Sequence, residues 1–135
     1  MNYIIESIFV GIYTSFIYLI FSPFIKNFYV LLLVVGFFKH FLGSSLNIWT
    51  WYCNNGEACI KTLNQDQYYV ANTLYLLQHS IYESLIFLLV GTMLNIIFKK
   101  GIMLFFIIGM ILHIISERIG IHNYFCKTNC EIDKN

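Results

Sequence analysis

Four stretches of the 135-residue chain are almost purely apolar, and they leave little choice of fold. They are residues 3 to 22 (YIIESIFVGIYTSFIYLIFS), 28 to 43 (FYVLLLVVGFFKHFLG), 81 to 98 (IYESLIFLLVGTMLNIIF) and 101 to 119 (GIMLFFIIGMILHIISERI). Each approaches the roughly 20 residues with which a helix crosses the hydrocarbon layer of a bilayer, and the flanks lengthen the shorter ones. None has the polar face that a helix of a soluble domain turns to water. With 59% hydrophobic and 11% charged residues, the chain holds more apolar surface than one soluble core of this size can hide. The expectation is an all-α integral membrane protein: a four-transmembrane-helix bundle forming a single domain over 1–135.

Two connections are short and basic. SPFIKN contains Pro23, which stops the first helix, and Lys26; FKKG contains Lys99 and Lys100 ahead of Gly101. The excess of lysine over acid puts both turns in the cytoplasm, and hence both termini and the long connection 44–80 on the opposite side. All seven acidic residues then lie on or toward that far side. The connection is rich in the aromatic types that sit at membrane interfaces, namely Trp49, Trp51, Tyr52, Tyr68 and Tyr69. Its last part, YYVANTLYLLQ, has the apolar spacing to extend the third helix backwards beyond the bilayer. The N-terminal MNYIIESIFV has neither a basic n-region nor a small-residue cleavage site after it, so the first segment is expected to stay as a span. A net charge of +1 spread without a basic patch excludes a nucleic-acid partner.

The chain also resembles itself. Gly36-x3-His40-x12-Cys53 is matched by Gly109-x3-His113-x12-Cys126, and each cysteine follows two aromatics, Trp51-Tyr52 or Tyr124-Phe125. Further cysteines follow at Cys59 and Cys130, and each half opens with Glu-Ser-aliphatic, Glu6-Ser7-Ile8 and Glu83-Ser84-Leu85. These matches predict two parallel tandem helical-hairpin repeats, about 3–59 and 81–130, joined by a connection and helix extension at about 60–80. Lys39 breaks the pattern, since its counterpart is Leu112.

Helical rise then sets depth. Lys39, His40 and His113 come roughly 20 Å above the cytoplasmic turns, and Glu6, Glu83 and Glu117 roughly 25 Å, within a layer of about 30 Å. His79 sits one turn from Glu83 on the same face, as His113 does from Glu117. Ionisable residues at such depth usually face the bundle interior. In the plainer account this storey is a mutual network that locks the four helices together. A second account makes it a metal or haem site, with His40 and His113 as pseudo-symmetric ligands and Glu6 and Glu83 supplying oxygens, although His-x3-Glu departs from the Glu-x-x-His of di-iron bundles. A third is a proton or ion path, disfavoured because the lower part of every helix is nearly free of polar residues.

The four cysteines stand on the far side in CNNGEAC and CKTNC. In an oxidising compartment they pair, most simply Cys53 with Cys59 and Cys126 with Cys130, though four cysteines allow three connectivities. Their spacings do not suit a zinc knuckle, and the Cys-x-x-Cys of a quinone-linked thiol oxidoreductase is absent.

The paired pattern KHFLG…WTWYCNNGEAC and HIISERIGIHNYFCKTNC resembles small multi-spanning membrane proteins of nucleocytoplasmic large DNA viruses. That resemblance implies a place in a virion's internal membrane or in host-derived membranes, and brings no catalytic residues with it. The expected function is accordingly non-enzymatic: a membrane structural or assembly protein whose disulfide-pinned loops contact a protein partner or a second copy, with no cofactor. The alternatives are a metal- or haem-binding redox protein using the His/Glu cluster, and a proton or ion channel.

Overall fold

A computed structural model describes residues 2–62 and 73–130, and every regular element among them is helical. The long helices are α1 (Tyr3–Phe21), α2 (Phe28–Ser45), α5 (Thr73–Leu94) and α6 (Ile102–Ile119), all long and apolar enough to cross a membrane. Between and after them lie the short helices α3 (Ile48–Asn55), α4 (Glu57–Thr62) and α7 (Ile121–Asn129). Asn2 and Asn27 start α1 and α2 by accepting the amides of Ile4, and of Tyr29 and Val30, which have no partner within the helix.

The third long helix departs from its expected 81–98. It begins at Thr73, so the backward extension is real from there on, while Tyr68, Tyr69 and the rest of 63–72 fall outside the described residues. It ends at Leu94, where the ladder tightens to Ile96 N–H donating to Met93 O. The apolar Ile96 and Ile97 belong to the turn, because the chain needs those residues to reverse before α6.

The long helices associate as two antiparallel pairs, α1 with α6 and α2 with α5. Both pairs close on a glycine. A Cβ at Gly36 would stand 2.7 Å from Phe87 Cβ, and one at Gly109 would stand 2.5 Å from Thr14 Oγ1 and 3.1 Å from Val10 O. Close approach lets Ser84 on α5 donate to Leu33 O on α2 at 2.8 Å. Gly36→Leu and Gly109→Leu are each expected to cost about 1–3 kcal/mol through overpacking. Thermal unfolding in detergent checks this, and unchanged midpoints in both variants would contradict the packing.

Below these glycines the interior is a dry plug of Ile17, Leu32, Val35, Phe87, Leu104, Phe105 and Ile108, all fully buried. Thr14 and Ser15, buried on α1, return their hydroxyls to Val10 O and Gly11 O of their own helix. Outside, Phe9, Phe16, Leu89 and Met103 are exposed, so apolar side chains cover the outer surface as well as the core. At the opposite end from the basic turns, α3, α4 and α7 pack over the bundle around Ala58, Cys59, Cys126 and Cys130.

Candidate functional site: a chamber beneath a cross-linked cap

The cap is tied twice, in a pattern different from the simplest expectation. Cys53 bonds Cys130 and Cys59 bonds Cys126, so each bridge joins α3–α4 to the α7 end of the chain instead of closing a small loop. The reason is local structure: CKTNC is a helical turn ending at Cys130, which puts both its sulfurs on one face, toward α3–α4. All four cysteines are thereby oxidised, and none is free as a thiolate ligand.

Two carboxylates exchange helix ends beneath the bridges. Glu6 Oε1 accepts the Glu57 amide at 2.7 Å, opening α4, while Glu57 Oε2 accepts the Tyr3 amide at 2.7 Å, opening α1. Glu57 also binds Lys61 at 2.7 Å; that bond and the Tyr3 amide hold its carboxyl below the usual range. The cap is further tied to α5 by the Tyr75 and Thr128 hydroxyls, 3.1 Å apart.

Between cap and plug lies a half-open cavity of about 600 Å³, with the exposed Phe9, Tyr82 and Ile86 in its lining. Six of the seven ionisable residues expected in one storey line it: Glu6, Lys39, His40, His79, Glu83 and His113. They form separate groups. Lys39 Nζ and Glu83 Oε1 are an ion pair at 2.5 Å; His40 stacks on His79 and meets Trp49 edge-on; His113 Nε2 lies 3.2 Å from Glu6 Oε2. The four residues expected to share one ion, His40, His113, Glu6 and Glu83, are thus divided between two walls, Glu6 with His113 on one and Glu83 with Lys39 on the other.

Glu117, the seventh, pairs with a residue absent from the expected cluster. His122 Nδ1 lies 2.9 Å from Glu117 Oε2, and its ring centroid is 4.4 Å from that of His113. Gly120 makes this possible, since its φ of 86° breaks α6 from α7 and turns α7 back over the end of α6. A Gly followed two residues later by His after a helix with a histidine on its inner face was the available signal. Burial pulls the His122 imidazole below its ordinary value, and the Glu117 carboxylate works against that.

Tyr52 was read as an interface aromatic, yet it reaches inward, with its ring against His113, His122 and Phe125. Burial, and then the charges of Glu6, Glu117 and Glu57, push its hydroxyl upward, so it is a donor and not a phenolate. Among the described residues neither the Tyr52 hydroxyl nor His40 Nε2 has a hydrogen-bond partner, although both atoms are buried. Such atoms are uncommon and costly in folded proteins.

Comparison with protein-family models, curated proteins and solved structures finds no match to this chain.

Proposed function

We propose that the protein is a four-span integral membrane protein whose far-side chamber binds a small ligand or ion, beneath a cap built for an oxidising compartment. The membrane reading rests on four helices of spanning length with apolar outer faces and on the lysines of the two short turns. Duplication of a helical hairpin is supported by packing. Aligning Glu6 with Glu83 sets Val10 on Phe87, aligning His40 with His113 sets Gly36 on Gly109, and Gly36 meets Phe87 as Gly109 meets Val10.

One observation carries the binding reading: the ionisable storey surrounds about 600 Å³ of cavity instead of filling it, and leaves Tyr52 and His40 with unsatisfied polar atoms there. A network serving only to lock helices would close on itself. A conduit is disfavoured by the apolar plug below. A second reading, the assembly protein of a viral or host-derived membrane, is favoured by exposed Trp51 and Ile60 on the cap, which suit a partner's apolar surface.

Native mass spectrometry of protein extracted in mild detergent tests the chamber. The expected result is a stoichiometric adduct that disappears in Ser116→Phe, a substitution that fills the cavity. A bare mass, with Ser116→Phe merely more stable, would leave the chamber as a packing void and favour the assembly reading.

A further inference from the structure

The two walls of the chamber carry unequal charge. On the α2–α5 wall the Glu83 carboxylate has the Lys39 ammonium beside it. On the α1–α6 wall the position aligned with Lys39 is Leu112, and the position aligned with Ser44 is Glu117. This wall has therefore lost an ammonium and gained a carboxylate. Glu6 and Glu117 have side chains only 2% and 10% exposed, and their ion-pair partners among the described residues are histidines alone. A buried carboxylate is costly unless hydrogen-bonded and paired, and beyond the Glu57 amide on Glu6 the partners here are imidazoles, which are themselves metal ligands.

The donor atoms indicate which cation. His113 and His122 offer an imidazole nitrogen each and Glu117 a carboxylate oxygen, and the three atoms lie within 4.8 Å of one another. Donors around a tetrahedral zinc ion are about 3.3 Å apart, so rotation of these side chains closes the group on an ion. Two imidazoles with one carboxylate suit zinc or iron(II); calcium and magnesium want oxygen donors throughout.

Resting on the chamber reading, we propose that His113, Glu117 and His122 bind one divalent transition-metal ion of the zinc or iron(II) class. Glu6 is the positioning residue: with Nε2–H donated to its carboxylate, the His113 ring keeps its other nitrogen for the metal, as in carboxylate–histidine–metal triads. The ion takes the place of the proton between His122 Nδ1 and Glu117, that imidazole shifting to its other tautomer. Three protein ligands leave a fourth position open, and the partnerless Tyr52 hydroxyl beside the two rings is the donor for whatever fills it.

The test is Co2+ titration of chelator-treated protein in detergent, followed by its visible d–d bands. One equivalent is expected to bind. Glu117→Gln and His122→Asn should each weaken it at least about tenfold, and Glu6→Gln about 10–100-fold. Should these variants fail to fold, X-ray absorption of the Co2+-loaded wild type counts the imidazoles, and two are expected. No binding by the wild type, binding untouched by Glu117→Gln and His122→Asn, a count of none or four imidazoles, or a loss caused instead by His40→Asn would each overturn the assignment. A retained non-metal adduct with no Co2+ bound removes this site and keeps the chamber reading, whereas a bare chain removes both.

Discussion

Replacing Cys53 and Cys130 together with serine is expected to destabilise the fold by about 3 kcal/mol. The bridges join residues 77 and 67 positions apart, and the second loop lies inside the first. Loop-closure entropy grows with the logarithm of length, and with Cys59–Cys126 still in place the Cys53–Cys130 bridge closes a ring of only about a dozen residues, in the middle of what a disulfide contributes. A bridge between Cys53 and Cys59 would close a short loop and contribute less. Unfolding in detergent with and without reductant measures the loss, and peptide mapping identifies the partners. Recovery of a Cys53–Cys59 or Cys126–Cys130 peptide would refute the cross-linked cap.

Lys39→Met carries an expected cost of about 3–5 kcal/mol. It leaves the Glu83 carboxylate without its ammonium beside His40 and Phe87, on a wall with no other Lys or Arg ion-paired to it among the described residues. Adding Glu83→Gln should recover most of the loss, because a neutral amide needs no counter-charge. The double-mutant cycle in detergent separates pairing from packing. If Lys39→Met and Lys39→Met/Glu83→Gln are equally unstable, the ammonium matters for its packing stem and not its charge.

What was legible in the sequence followed from long-range pattern. Runs of apolar residues gave four long helices almost to the residue for α1, α2 and α6. The third run misled at its end, because hydropathy cannot tell a helical Ile from one spent in the turn at Ile96–Ile97, whereas the apolar spacing of TLYLLQ did carry the helix back from Ile81. Depth counting set Glu6, Lys39, His40, His79, Glu83 and His113 at one level, since rise per residue fixes height whatever the packing, and all six line the cavity. It said nothing of azimuth, so it could not separate the Glu6–His113 wall from the Glu83–Lys39 wall. His122 and Tyr52 were missed because both stand on short helices that fold back over the chamber, a geometry set by the left-handed Gly120 and by the bridges. The cysteine partners depended on those same short helices.

The doubly fastened cap has a corollary for access. A roof riveted at two points to α7, which itself continues from α6, has no hinge along its bridged edge. Glu6 adds a clasp, one oxygen on α4 and the other on His113. A molecule reaching the space beneath this roof would pass sideways, by the exposed Phe9, Tyr82 and Ile86 of its lining, and not through the roof.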